Sequence, residues 1–138
     1  MANKFYAKYK ESRQNGSYTY NLTSATIKAV LVDTGTYTFS QSHQFYTDLS
    51  GIVGSAVTLT TPTLTISGDN VLFSADPISF TGLVAAPTIE AVVFYQDTGV
   101  AATSGLICYI DTASGLPTAS GQVAVTVTQD ATNKFIKF

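Results

Sequence analysis

From residue 29 to residue 133 the chain carries no lysine and no arginine. That stretch holds every acid except Glu11, namely Asp33, Asp48, Asp69, Asp76, Glu90, Asp97, Asp111 and Asp130. The bases sit at the ends: Lys4, Lys8, Lys10, Arg13 and Lys28, then Lys134 and Lys137. The formal balance is +4 for residues 1–28, −8 for 29–133 and +2 for 134–138, giving the net −2 of the whole chain. A long middle built from Ser, Thr and apolar residues, with single acids and no base, reads as a packing module. Basic ends on an acidic body imply that the ends contact something: this body, a copy of it or a different partner.

The size and apolar content fit one domain with a real core. The 138 residues are 45% hydrophobic and 12% charged, which excludes intrinsic disorder. Mild acidity argues against nucleic acid as the main partner, because phosphate binding needs a basic face. No run approaches the roughly 20 apolar residues of a membrane helix. The segment from Met1 to Arg13 is polar and lacks the apolar region of a signal peptide, so the chain is expected to be made in the cytoplasm. The single cysteine, Cys108, can form no disulfide within the chain, and its setting Leu106-Ile107-Cys108-Tyr109-Ile110 predicts a buried small hydrophobe.

Residues 3–14 read as a short helix. Asn3 is its candidate cap, Phe5, Tyr6 and Tyr9 lie on one side, Lys4, Lys8 and Glu11 lie opposite, and Asn15-Gly16 ends it. The aromatic stripe has two readings: a strip docked on the chain's own core, or a partner-binding face.

Everything afterwards reads as strands, over Thr26–Val32, Ser55–Thr60, Thr63–Ser67, Val71–Phe73, Ile78–Phe80, Thr88–Tyr95, Leu106–Ile110, Gln122–Thr128 and Phe135–Phe138. These runs are rich in Val, Ile, Thr, Phe and Tyr and are divided by Gly, Pro and Asp-Asn turn signals. Thr63-Leu64-Thr65-Ile66 alternates polar and apolar, as a half-buried strand does. Residues 34–54 are the least regular part and predict a long excursion over one end, with room for a helical turn. The expected fold is all-β, a single antiparallel β-sandwich or jelly-roll-like barrel with a short N-terminal helix. Residues 1–16 form a helical basic and aromatic arm and residues 17–138 the β body.

Three apolar runs end in Asp-Thr: Val32-Asp33-Thr34-Gly35, Gln96-Asp97-Thr98-Gly99 and Ile110-Asp111-Thr112-Ala113. Two Asp-Thr-Gly triplets invite comparison with an aspartic protease, whose chemistry needs two carboxylates sharing one proton. The polar Gln96, the glycine-free third copy and the shortness of the chain favour another reading. Asp at a strand end accepts backbone N–H bonds from the next turn, and Gly supplies positive φ. The one histidine, His43, has no ligand cluster around it in sequence. No catalytic, cofactor or metal site is therefore expected, and no enzyme activity.

Residues 27–34 (Ile-Lys-Ala-Val-Leu-Val-Asp-Thr), Tyr37-Thr38-Phe39-Ser40, His43-Gln44-Phe45, residues 90–99 (Glu-Ala-Val-Val-Phe-Tyr-Gln-Asp-Thr-Gly) and residues 106–117 together resemble small virion structural proteins of tailed bacteriophages, among them capsid decoration (cement) proteins. The resemblance covers 27–45 and 88–128 and rests on strand-and-turn patterns. It implies a protein that binds an assembled head shell and stabilises it between subunits, with the major capsid protein as partner and a dimer or trimer as the bound form. The implied location is the capsid surface. On that reading Lys4, Phe5, Tyr6, Lys8, Tyr9 and Arg13 are the candidate contacting arm, aromatics giving area and bases giving complementarity to an acidic surface. The alternative is a tail, baseplate or host-surface module in which exposed Tyr18, Tyr20, Tyr37 and Tyr46 stack on sugars.

Overall fold

A computed structural model describes residues 4–84 and 86–138. The chain is mostly β, with antiparallel sheets, one short helix and no closed barrel among the described residues. The strands are β1 (Lys4–Phe5), β2 (Ile27–Val32), β3 (Ile52–Thr58), β4 (Thr63–Ser67) and β5 (Asn70–Ser74). They continue with β6 (Ile78–Phe80), β7 (Ala91–Gln96), β8 (Gly105–Ile110), β9 (Val125–Val127) and β10 (Ile136–Lys137), and the helix α1 is Ala7–Asn15. A five-stranded sheet runs β1-β8-β7-β2-β3, a three-stranded sheet β10-β5-β4, and β6 pairs with β9.

Every residue of β7 and β8 is buried. A strand covered on both faces needs no polar alternation, which is why Val-Val-Phe-Tyr and Leu-Ile-Cys-Tyr run on without interruption. The register of Val93 against Tyr109 and of Phe94 against Cys108 sorts the two faces. On one face, Tyr109 meets Tyr37 and Phe39, with ring centroids 6.3 and 5.4 Å apart, and Tyr95 meets Tyr46 at 4.8 Å. These partners come from the irregular excursion between β2 and β3. It holds a 3-10 turn at Tyr46–Asp48 and is tied to β8 where the Leu106 N–H donates to the Gln44 carbonyl at 2.8 Å. On the other face, Phe94 packs edge-on against Phe73 of β5 and Phe135, at 6.3 and 5.3 Å. Those two rings join the small sheet to the large one.

The N-terminus differs from the helix expected over 3–14. Lys4 and Phe5 pair with Tyr109 and Cys108 as a strand, and the helix starts only at Ala7, after an extended Tyr6 (φ −65°, ψ 136°). Asn3, the expected cap, lies outside the described residues. An extended backbone sends Phe5 and Tyr6 to opposite faces of the sheet, so both rings find cover, whereas a helix would leave one turn of them on a single stripe. Tyr6 is fully buried and its hydroxyl lies 2.8 Å from that of Tyr37, which in turn lies 2.9 Å from His43 Nδ1. The end of α1 follows the sequence reading: Gly16 is left-handed (φ 70°) and its N–H donates to the Ser12 carbonyl.

The hairpin β4–β5 departs most from expectation. Thr63–Ser67 is a strand with the bounds expected, but all five of its residues are exposed. Leu64 and Ile66 share one face, and Ile66 is 79% exposed. Leu64, Ile66 and Val71 of the hairpin stay open to solvent in part or in large part. Periodicity records which side chains share a face and is silent on whether anything covers that face.

Candidate interaction surface

The residues that could carry chemistry are held apart or occupied. Ile27 faces Gln96 and Val32 faces Ala91, so Asp33 and Asp97 stand at opposite ends of the β2–β7 pair. At about 3.3 Å per residue they are roughly 20 Å apart and share no proton. Each closes its own turn. Asp33 Oδ1 accepts the Gly35 N–H at 2.8 Å, and Asp97 Oδ1 accepts the Gly99 N–H at 3.1 Å. Lys28 Nζ lies 2.7 Å from Asp97 Oδ2, and its hydrogen bond holds the Asp97 carboxyl below the usual range. The third copy departs from the turn-capping expectation: Asp111 Oδ1 is buried with no hydrogen-bond partner among the described residues.

Cys108 is fully buried, and burial pushes its thiol well above the ordinary value. His43 is engaged with Tyr37. Among the described residues no group of three or more His, Cys, Asp or Glu is placed to hold a metal. No helix among them is long and apolar enough to cross a membrane. A groove of about 500 Å³ beside Ser114, Gln129, Asp130 and Lys134 is already spent on structure. There Asp130 Oδ1 accepts the Thr132 and Asn133 N–H groups and Lys134 Nζ donates to the Ala131 carbonyl.

The tyrosines expected to be open for sugar stacking are largely spent as well. Tyr20 and Tyr37 are buried, at 7% and 2% exposure. Tyr18 donates to the Thr103 carbonyl at 2.8 Å and packs on Tyr20 at 4.5 Å, and Tyr46 packs on Tyr95. A ring already packed against another aromatic ring offers less of its face to a sugar.

What remains is a surface, and part of the expected arm builds it. A second groove, about 340 Å³, runs between α1 and the small sheet. Tyr9, Leu22, Leu64, Val71 and Phe138 form its apolar walls, and Lys10 and Arg13 form a basic rim. Phe5 stacks on Phe138 at 5.2 Å and on Tyr9 at 5.8 Å, backing two of the wall residues. Burial, eased slightly by the nearby Arg13, pushes the Tyr9 hydroxyl up to about 12, so it stays neutral.

The six arm residues thus separate. Tyr9 and Arg13 line the groove and Phe5 supports it. Tyr6 is withdrawn into the core, which corrects its place as a contacting residue. Lys4 lies over the rings of Phe39 and Tyr109, 5.4 and 5.7 Å from their centroids, and Lys8 pairs with Glu11 at 2.8 Å. The segment is part of the sheet through β1 and is no detachable arm. Lys10, Gln14, Leu22, Leu64, Val71 and Phe138 are the groove residues that the sequence reading missed. The lone signal was the gap in charge along 60–67, which no basic or acidic residue interrupts.

No protein-family model matches the chain, and neither a curated protein nor a solved structure matches it.

Proposed function

We propose that the protein is a structural component of a bacteriophage head, a capsid decoration protein that binds the assembled shell and stabilises it across neighbouring subunits. In this reading the large and small sheets form a β-sandwich-like body, and the major capsid protein is the partner. The observation that carries it is the exposed, uncharged strand β4 beside a basic apolar groove. Edge strands that stay unpaired are usually guarded by lysine, proline or a bulge. Residues Thr63–Ser67 have none of these, so the edge is built to be covered. The strand-and-turn resemblance over 27–45 and 88–128 supplies the kind of partner. The mechanism is mass action: a protein that binds only the assembled shell stabilises it, and many copies add modest contacts.

The test is the copy number of the protein in purified virions, by quantitative mass spectrometry against the major capsid protein. Hundreds of copies in fixed ratio to the capsid protein are expected. A few copies would move the protein to the tail or a vertex, and absence from the particle would end both structural readings.

A further inference from the structure

We infer that β4 and the groove beside it take an extended, acidic segment of another protein, added as a further strand to the small sheet. This deepens the reading above and rests on it only for which protein supplies the segment.

The edge comes first. In the order β10-β5-β4 the outer side of β4 has no neighbour among the described residues. Alternate N–H and C=O groups of an antiparallel edge point outward, so a chain laid alongside finds a ladder waiting. The apolar face comes next. Leu64 faces Phe73 and Ile66 faces Val71 across the hairpin, and Ile136 of β10 faces Phe73. This one face runs from the buried Phe73 and Ile136 out to the exposed Ile66. An added strand would continue it and cover Ile66.

Charge then selects the occupant. Lys10 and Arg13 stand on the same groove and make no ion pair among the described residues. No acid lines the groove among the described residues. The nearest acids along the hairpin are Asp69 at its tip and Asp76 at its base, the latter already bonded by the Thr61 hydroxyl at 2.6 Å. A second copy pairing β4 with β4 about a twofold would bring its own Lys10 and Arg13 to the same face of the joined sheet, four cations with no acid between them. A segment with apolar and acidic residues alternating along one face meets Leu64, Ile66 and both cations at once.

The probe is the synthetic peptide Thr-Val-Thr-Glu-Thr-Val-Thr-Glu-Thr, with lysine in place of both glutamates as its control. Binding to the full chain is followed by amide chemical shifts. The acidic peptide should move the β4 amides and those of Lys10 and Arg13, and bind about tenfold or more tighter than the lysine peptide at low salt. Ile66→Lys, which sets a charge on the edge, should abolish binding. Lys10→Glu with Arg13→Glu should reverse the preference. All three positions are exposed, so these variants are expected to fold, and unchanged spectra of β7 and β8 would check it. No movement of β4 amides at millimolar peptide, or equal response to both peptides, would overturn the inference. So would concentration-dependent dimerisation that Ile66→Lys removes, which would hand the edge to a second copy. A chain absent from virions that still captures the acidic peptide would remove the shell reading and leave this surface standing. A chain abundant in virions that ignores the peptide would do the reverse.

Discussion

Strands β7 and β4 are both uncharged and live in opposite surroundings. β7 reads Ala-Val-Val-Phe-Tyr-Gln and is buried throughout, while β4 reads Thr-Leu-Thr-Ile-Ser and is exposed throughout. Neither carries a charge. In β7 the uncharged run is covered on one face by aromatics of the excursion after β2 and on the other by Phe73 and Phe135. In β4 the uncharged run ends in solvent. The lesson is that lack of charge serves two purposes in this chain. It permits close packing in the large sheet, and it leaves an adhesive edge on the small one.

The largest test of this contrast is Phe94→Ala. Phe94 is fully buried between Phe73 and Phe135, and its loss should cost about 3–5 kcal/mol by chemical denaturation. The matching change on the exposed strand, Ile66→Thr, should stay within about 0.5 kcal/mol of the parent. Equal costs would mean that β4 is packed in solution.

Gly105→Ala comes next. A methyl group there would meet the hydroxyl of Tyr20 at 2.5 Å and the ring of Tyr18 at 3.0 Å. Overpacking should cost about 1–3 kcal/mol, read as a lower denaturation midpoint, with the Tyr18 and Tyr20 ring resonances displaced.

Tyr6→Phe removes one hydroxyl from the buried Tyr6–Tyr37–His43 chain and should cost about 1 kcal/mol. That loss would separate a segment sewn into the core from a loose arm, for which the change would be silent.

The smallest effect concerns pH. The Asp97 carboxyl is held low, first by its hydrogen bond from Lys28. Its contribution is therefore complete above the ordinary carboxylate range and is lost as pH falls through the lowered folded value. Asp97→Asn should cost about 0.5–1 kcal/mol at neutral pH and flatten the acid limb of the stability curve. An unchanged acid limb would show that the pair contributes nothing.

Much of this fold is legible in the sequence because it depends on local rules. β4 and β6 occupy the runs expected, Thr63–Ser67 and Ile78–Phe80, since β-branched residues bounded by turn signals need little else. Asp33 and Asp97 close their turns as a carboxylate two residues before a glycine does. The failures lie where tertiary cover decides. Phe5 and Tyr6 look helical by spacing, yet burying one ring on each face of a sheet outweighs the propensity of two residues. Leu64 and Ile66 alternate as a half-buried strand should, yet they stay 44% and 79% exposed. Of the candidate surface, Tyr9 and Arg13 were readable from the basic aromatic N-terminus. Leu64, Val71 and Phe138 were not, because they meet only when residues far apart in sequence fold together.

β4 is an exposed, uncharged edge, whereas the equally uncharged β7 and β8 are sealed on both faces. Amide hydrogen exchange of the isolated protein tests this contrast most directly. Amides of β7 and β8 should exchange only through global unfolding, while the outward alternate amides of β4 should exchange near their intrinsic rates and become protected when the acidic peptide is added. Protection of every β4 amide in the isolated protein, matching that of β7, would contradict it.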